Sequence, residues 1–360
     1  MTAAGDRVHF ASPGSFHADL KRRVEGWFER TGRSPRADGA MRLKTAVVLG
    51  WAGASWGLLV LAPVSAWQAA LLAVSLGLAL AGIGFNVMHD ANHGSWSKHP
   101  RVNAALALTS DLLGASSWFW RQKHNVLHHS YANVSGLDPD VEAGALLRLT
   151  PAQPVHRWHR FQHLYAWPLY GLFMLKWWFA DELHRLVTGR IEGHRVLRPR
   201  GLELLFFVLG KVIFLAWAVV IPLALHPAWA VAPLGLLAAG TLGLVLASVF
   251  QLAHCVVDAD FLAPPSGPIP HDWAVHQVSA TVDFARGSRL LAWYLGGLNF
   301  QVEHHLFPKV SHVHYPALAP IVEATCRDHG IRYRSQPTLR SALAGNVRWL
   351  KLMGGHPAAA

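Results

Sequence analysis

The stretch QAALLAVSLGLALAGIGFNVMHDANH, residues 68–93, joins a long apolar run to a pair of histidines. The run from Gln68 to Met88 is about long enough to cross the ~30 Å hydrocarbon core of a bilayer as a helix. His89 and His93 follow at once, and their i, i+4 spacing places both imidazoles on one helical face. The stretch therefore predicts a membrane-spanning helix that brings two histidines to one surface of the membrane.

Three further apolar runs predict spans of similar length. They cover Thr45 to Pro63, Leu202 to Ala224 and Trp229 to Ala253. Only residues 64–67 separate the first two spans, and only 225–228 separate the last two. The four spans therefore form two helical hairpins with almost no loop at their closed ends.

The composition agrees with a multi-pass membrane protein. Hydrophobic residues make up 52% of the 360 residues, charged residues only 15%, and the mean hydropathy is +0.23. We predict one integrated domain, 1–360, in an all-α fold. Its parts are a cytosolic N-terminal segment (1–44), the first hairpin (45–88), a cytosolic and interfacial region (89–201), the second hairpin (202–253) and a cytosolic C-terminal region (254–360). The N-terminal segment has no short apolar core with a cleavage site, so no secretory signal is predicted.

Basic residues predict the orientation of the hairpins. Of 32 Lys and Arg residues, all except Lys211 lie in 1–44, 89–201 or 254–360, and neither short connection has any. The positive-inside bias places these three regions in the cytosol. The apolar segment 164–179 contains Pro168 and is short, so we expect an interfacial helix there rather than a fifth span. Anionic lipid headgroups account for the net charge of +11, and no nucleic-acid partner is predicted.

Histidines cluster in four stretches that the predicted topology brings to one membrane face. The stretches are HDANH (His89, His93), HNVLHH (His124, His128, His129), QLAH (His254) and QVEHH (His304, His305). A single histidine at a helix end commonly faces headgroups or caps the helix, and an isolated i, i+4 pair also arises by chance. Adjacent imidazoles, however, repel when protonated and gain little when neutral unless they share a metal. Four remote stretches together therefore predict a metal site.

The donor set limits the choice of metal. Cys255 and Cys326 are too few for a thiolate site, so the ligands are nitrogen and oxygen atoms. Seven or eight imidazoles exceed one tetrahedral zinc site and suit two transition-metal ions. Iron is the natural choice, because it accepts electrons and activates dioxygen. A di-iron centre at a bilayer surface predicts oxidation of an apolar substrate.

The motifs HDANHGSW, HNVLHHSYAN and QVEHHLFP resemble the three histidine boxes of the membrane fatty acid desaturases. The resemblance is strongest to front-end desaturases of the Δ5/Δ6 type, and it extends to HQVSATVDFA (276–285) and the basic N-terminal segment. It implies a di-iron enzyme that uses dioxygen to introduce a cis double bond into a fatty acyl chain. The implied iron ligands are His89, His93, His124, His128, His129, His304 and His305, with His254 as an additional one.

The resemblance also suggests supporting residues. Front-end members have glutamine where many relatives begin the third box with histidine, and Gln301 is therefore expected to ligate weakly or to hydrogen-bond a ligand. Gln251, next to the position of an asparagine in the stearoyl-CoA branch, is expected to support the site. Carboxylates and an amide near the boxes are expected to orient the imidazole rings: Asp90, Asn92, Asp138, Asp140 and Glu303.

The resemblance implies partners as well. The substrate is a fatty acyl chain carried by CoA or a lipid, held in a capped tunnel. Many front-end relatives carry a fused cytochrome domain with a His-Pro-Gly-Gly signature, which this sequence lacks, so we expect a separate donor such as ferredoxin or a free cytochrome. The alanine-rich, arginine-rich composition suggests a bacterial cytoplasmic membrane, with the active site facing the cytosol.

Two other functions remain open from the sequence. A lipid hydroxylase or ketolase would use the same boxes and differ only in its product. A metal transporter would place ionisable ligands near the middle of the bilayer, and the four predicted spans are nearly free of them.

Overall fold

The computed structural model describes residues 8–11, 14–270 and 272–355, so the remaining residues of the predicted domain lie outside this description. The described part is predominantly helical, and its strands are four two-residue elements. The predicted all-α class is therefore confirmed.

The N-terminal part supplies the first hairpin. It comprises α1 (Ser15–Thr31), α2 (Gly39–Leu61), α3 (Ala66–Ile83), a π-helical segment (Gly84–Met88) and α4 (His89–His93). Asp38 begins α2 by accepting a hydrogen bond from the backbone N–H of Met41 at 2.9 Å. Ser65 begins α3, and its backbone N–H donates to Oε1 of Gln68 at 2.8 Å. These caps start both helices without a long loop between them.

Short helices and a small hairpin connect the two membrane hairpins. They are α5 (Pro100–Ala107), α6 (Thr109–Leu112), α7 (Ser117–Arg121), a π segment (Gln122–His128), α8 (His129–Tyr131), 3-10 turns (Gly144–Leu146 and His159–Phe161), α9 (Gln162–Lys176), a π segment (Trp177–Asp181), α10 (Glu182–Thr188), β1 (Arg190–Ile191) and β2 (His194–Arg195). Strands β1 and β2 pair antiparallel, with Ile191 opposite His194.

The second hairpin and the C-terminal region complete the fold. They contain α11 (Leu202–Leu215), a π segment (Ala216–Val220), α12 (Ile221–Leu225), α13 (Ala228–His254), α14 (Trp273–Ala280), β3 (Asp283–Phe284), α15 (Arg289–Tyr294), α16 (Gln301–Leu306), a 3-10 turn (His312–His314), α17 (Tyr315–Asp328), β4 (Ser335–Gln336) and α18 (Leu339–Met353). Strands β3 and β4 pair in parallel, with Asp283 opposite Ser335.

Four helices among the described residues are long and apolar enough to cross a membrane. They are Gly39–Leu61, Ala66–His93, Leu202–Leu225 and Ala228–His254, and each overlaps one predicted span. The helix that contains 164–179 is not among them, and its place in the membrane interface stays a prediction. In an apolar 18-residue stretch of Ala66–His93, 72% of the residues are buried inside the protein, whereas the corresponding share for Leu202–Leu225 is only 11%. The first is thus a core helix, and the second presents most of its apolar surface outward, as a lipid-facing helix does.

Helices α3, α9 and α13 form the centre of the bundle. Glycines allow their backbones to approach closely, since a Cβ atom at Gly77 would lie 2.6 Å from the carbonyl oxygen of Ala238. One at Gly243 would lie 2.8 Å from the carbonyl oxygen of Tyr170. Small residues at such crossings are typical of helices packed in membranes. This packing fixes the end of α13, and with it His254, beside the end of the first hairpin.

Candidate metal centre

Four segments bring the predicted ligands together at one end of the helical bundle. Seven of the eight histidines are buried, and His124 is half-buried. The segments are α4, the π segment 122–128 with α8, the end of α13, and α16. The predicted convergence of remote stretches is therefore present in the fold.

The first group of ring nitrogens comes from His89, His93, His124 and His304, with one nitrogen of each within 4.8 Å of the others. Helix α4 ends just after its second histidine because Gly94 adopts a left-handed conformation with φ +72°. The N–H of Ser95 then bonds the carbonyl oxygen of Asp90 at 2.9 Å. This turn keeps both histidines on the last turn of the helix.

The second group comes from His128, His254 and His305, again with one nitrogen of each within 4.8 Å of the others. His129 lies between the two groups. Its Nε2 atom is 3.2 Å from Nε2 of His124, and it also forms a close set with His304 and His305. All eight predicted ligands thus belong to one continuous cluster.

Helix α16 reaches this cluster through a glycine turn. Gly296 and Gly297 have φ values of +60° and +68°, in the left-handed region that favours glycine. A Cβ atom at Gly296 would lie 2.3 Å from the carbonyl oxygen of Phe85, so only glycine permits this approach to the first hairpin. The turn carries His304 against α4 and His305 against α8 and the end of α13.

Several ring nitrogens of the cluster are buried and have no hydrogen-bond partner within the part of the chain that the structure describes. They are Nδ1 of His89, His129 and His254, and Nε2 of His93, His128, His304 and His305. A buried polar atom without a partner is costly, and so many in one place are rare in a folded protein. Metal ions bound by these nitrogens would satisfy them. The residues present therefore fit a nitrogen-ligated metal centre with two groups of donors.

Burial keeps most of these imidazoles neutral. It lowers the pKa of His129, His304 and His305 well below the usual value, and neighbouring imidazoles lower it further. The pKa of His124 falls to about 4, mainly through burial. Burial also disfavours charge on His128, but Asp138 and Asp140 outweigh it and raise its pKa. Neutral imidazoles offer the lone pairs that a metal requires.

Several side chains hold the histidine rings in place. Asp138 is 3.0 Å from Nδ1 of His128, and Gln301 places its Nε2 atom 2.9 Å from Nε2 of His254. Gln277 and Tyr315, which the sequence analysis did not single out, contact His305 and His304. Oε1 of Gln277 is 2.7 Å from Nδ1 of His305, and the Tyr315 hydroxyl is 3.3 Å from Nδ1 of His304. Gln277 lies in HQVSATVDFA, one of the stretches that carry the family resemblance, so the sequence did point to this segment.

Other predicted supporting residues have different partners. Asp90 contacts His312 and Ser311, Asn92 accepts a hydrogen bond from Arg121, and Glu303 accepts one from Tyr333. None of these contacts is with a predicted ligand ring. Asp140 approaches His124 and His128 only at 3.7 Å and pairs with Lys123. Gln251 lines a cavity beside the cluster, and its Oε1 atom is buried with no hydrogen-bond partner among the described residues.

Asn133 connects the second box to the end of α13. It adopts a left-handed conformation with φ +56°. Its side-chain amide donates to the carbonyl oxygens of His254, Asp260 and Ala280 at 3.0, 3.2 and 3.1 Å. Its backbone N–H donates to Asp138 at 2.9 Å. One residue thus links the carboxylate that holds His128 to the helix that carries His254.

A cavity of about 470 Å³ adjoins the cluster. His89, His124 and Gln301 line it near the metal centre, and Leu113, Phe173 and Met174 are among the apolar side chains along it. Charged residues, including Lys176 and Arg185, lie on its wall as well. Its volume is within the range of pockets that hold small organic ligands. The arrangement suits an apolar molecule held beside the ring nitrogens.

Comparison with known proteins places these features in a family. The fatty acid desaturase profile matches residues 65–337. A sn-1 linoleoyl-lipid 6-desaturase of Arthrospira platensis is 37% identical over 99% of this chain and 97% of its own length. Its counterpart from Synechocystis sp. is 36% identical over 97% of this chain and 98% of its own length.

A plant relative extends the comparison. An acyl-lipid (8-3)-desaturase of Physcomitrium patens is 36% identical over 94% of this chain and 72% of its own length. The profile covers all three histidine boxes, and the cyanobacterial relatives match almost from end to end. The chain therefore belongs to the fatty acid desaturase family.

Proposed function

We propose that this integral membrane oxidoreductase is a front-end fatty acyl desaturase whose histidine cluster holds two iron ions. The observation that supports this most strongly is the apolar cavity that adjoins two groups of buried, unpartnered ring nitrogens. The names of the relatives, linoleoyl-lipid 6-desaturases and an (8-3)-desaturase, support a substrate in which an acyl chain is attached to a lipid. The new double bond would then lie between an existing one and the carboxyl end.

In this proposal the ligands divide between the two groups. His89, His93, His124 and His304 hold one ion; His128, His254 and His305 hold the other, and His129 lies between them. Two iron ions with dioxygen supply the oxidising power to remove one hydrogen from each of two neighbouring methylenes. Asp138 and Gln277 hold His128 and His305 by their Nδ1 atoms, so that the Nε2 atoms face the cluster.

The rest of the protein's work is positioning. No acid or base ionises the C–H bond of an unactivated methylene, so reactivity depends on which carbons lie beside the cluster. The apolar side chains of the cavity, among them Leu113, Phe173 and Met174, shield an acyl chain from water. The cavity walls thus select both the substrate and the position of the bond.

The proposal includes a redox partner and an orientation. Reduction of dioxygen to water takes four electrons, and the substrate supplies two. A ferredoxin or a free cytochrome supplies the other two. The basic residues that flank the four spans favour a metal centre on the cytosolic side of a bacterial cytoplasmic membrane.

The test combines metal analysis with product analysis. We expect about two irons per chain in purified active protein, and a cis double bond on the carboxyl side of an existing one when a host is fed defined unsaturated fatty acids. His128→Ala or His304→Ala should abolish the product and lower the iron content, because each removes a buried nitrogen from one group. His99→Ala, at an exposed position outside the cluster, should change neither.

Three results would contradict the proposal. Active protein with stoichiometric zinc and no iron would reject the metal. A product hydroxylated at the same carbons would assign a hydroxylase on this scaffold. A bond inserted toward the methyl end, with the carboxyl side untouched, would reject the front-end type and leave the desaturase family standing.

A further inference from the structure

A buried arginine lines the apolar cavity that adjoins the histidine cluster. Arg185 belongs to α10, and its side chain is only 4% exposed. Its Nη1 atom is buried and has no hydrogen-bond partner among the described residues. Arg185 lines both the apolar cavity and an adjoining polar pocket of about 170 Å³. It therefore stands where an apolar chain meets a polar group.

The carboxylate nearest this guanidinium is distant from it and is shared with a lysine. Nη2 of Arg185 is 3.7 Å from Asp181, beyond hydrogen-bonding distance, and Asp181 also accepts a hydrogen bond from Lys176 at 2.5 Å. Arg190 and Glu192 line the adjoining pocket. These five side chains carry three positive charges and two negative ones. The four charges that line the pocket itself balance, but Lys176, which lines the apolar cavity, pairs with Asp181, so Arg185 has no carboxylate of its own.

A buried guanidinium with a free N–H and an incomplete ion pair is unfavourable unless a ligand completes it. Its planar donors match the oxygens of a phosphate or carboxylate. A phosphate bound at this guanidinium would give Arg185 an oxyanion partner of its own. The chemistry of the pocket thus points to an oxyanion as its missing partner.

We propose that Arg185 binds a phosphate oxygen of the acyl carrier, while the acyl chain attached to that carrier extends through the cavity to the histidines. The identity of the chain rests on the proposed function. Binding of the carrier phosphate at Arg185 fixes one end of the substrate. This determines which carbons of the acyl chain lie beside the histidine cluster. Arg185 is thus a binding residue that sets the distance of the new double bond from the carboxyl end.

The surroundings of Arg185 favour a carrier that remains in the membrane. Phe179, Leu183 and Val187 flank it in sequence and are exposed, at 68%, 59% and 64%. These side chains match a lipid surface better than water. A glycerophospholipid at this surface could place its phosphate at Arg185 and one acyl chain in the cavity. An acyl-CoA offers the same phosphate chemistry from solution, and the two carriers are distinguishable by experiment.

The first test is equilibrium binding to the purified full chain, which does not depend on turnover. The probes are phosphatidylglycerol with two linoleoyl chains, the matching neutral diacylglycerol, linoleoyl-CoA and inorganic phosphate. We expect the wild type to bind the phospholipid about tenfold or more tightly than the diacylglycerol, as loss of a charge-assisted contact implies. Arg185→Gln should abolish that difference, Arg185→Lys should keep part of it, and inorganic phosphate should compete.

Arg195→Gln is the matched control. Arg195 is an exposed arginine of the neighbouring hairpin and lines neither cavity, so its loss should leave the preference unchanged. If Arg185→Gln does not fold, the preference of the wild type, phosphate competition and Arg185→Lys still decide the matter. Equal binding of phospholipid and diacylglycerol by the wild type, or an unchanged preference in Arg185→Gln, would overturn the inference. Tighter binding of linoleoyl-CoA than of the phospholipid would assign the carrier to CoA.

The second test uses product position. Arg185→Gln should raise KM for the phospholipid and spread the new double bond over neighbouring positions, because the carrier end is no longer fixed. A double bond at one unchanged position, together with an unchanged KM, would contradict the role of Arg185 in positioning the acyl chain. If the phospholipid binds through Arg185 but no desaturated product forms with any chain, the proposed function fails and the binding inference stands.

Discussion

Gln301 occupies the point where the third box meets the end of α13. Its Nε2 atom is 2.9 Å from Nε2 of His254, while its Oε1 atom is buried and finds no hydrogen-bond partner in residues 8–11, 14–270 and 272–355. Nδ1 of His254 also lacks a partner. The amide therefore contacts His254 from one side, and its second polar atom has no partner among the described residues. A weak ligand and a support for a ligand are both within reach of this one side chain.

We predict that Gln301→Ala lowers iron affinity or activity about 10–100-fold, the usual cost of losing a residue that orients a metal ligand. Gln301→His should retain some activity by offering an imidazole, and Gln301→Glu should perturb the centre by adding charge. Iron content and product yield at equal membrane levels of protein measure both effects. Wild-type iron content and activity in Gln301→Ala would show that the amide has no supporting role.

Sequence patterns located the histidines more easily than their partners. Metal-binding histidines can be recognised by their spacing in the sequence, because several must approach one ion from the same side. The partners obey no such spacing, since Gln277 reaches His305 across 28 positions and Asp138 reaches His128 across 10. Asp90 and Glu303 adjoin box histidines in the chain, yet they turn to His312 and Tyr333. Adjacency in sequence therefore does not predict which side chain accepts a hydrogen bond from a histidine ring.

Helix crossings depend on glycines at particular positions of α13. We predict that Gly243→Ala lowers the free energy of unfolding by about 1–3 kcal/mol, because its Cβ atom would meet backbone carbonyls of α9 that cannot move aside cheaply. Gly235→Ala in the same helix is the control, since no described atom outside the adjoining helix backbone and chain neighbours lies within 4 Å of its Cβ position. Thermal unfolding in detergent compares the two. Equal midpoints would show that the α9–α13 crossing tolerates a methyl group.

The helices themselves were predictable because the bilayer dictates their length. Most span ends lie within two residues of the predicted ones, but the first helix begins at Gly39, before the predicted Thr45, and the second continues to His93, beyond the predicted Met88. The π-helical segments were not foreseen. Gly84–Met88 and Gln122–His128 stand directly before or within the first two boxes, and hydrophobic periodicity carries no signal for such wider turns. They are common at functional sites, where they redirect side chains.

At the scale of the whole molecule, the charge distribution predicts which segments face each side of the membrane. Native Cys255 and Cys326 are buried, so single cysteines added at exposed positions give a clear signal. We expect Ser65→Cys and His226→Cys, in the two short connections, to react with an impermeant reagent in intact cells. Arg195→Cys should react only after permeabilisation. Labelling at position 195 in intact cells would overturn the four-span topology.

The division of the histidines has a consequence for biosynthesis. One group needs His304 and the other needs His305, although their remaining members come from residues 89–254. Neither group is complete until the ribosome has made α16, after both hairpins have been synthesised. A nascent or prematurely terminated chain therefore holds only partial sets of donors. Under the proposed function, iron is loaded late, into a scaffold already in the membrane, and the last helix of the site closes both groups at once.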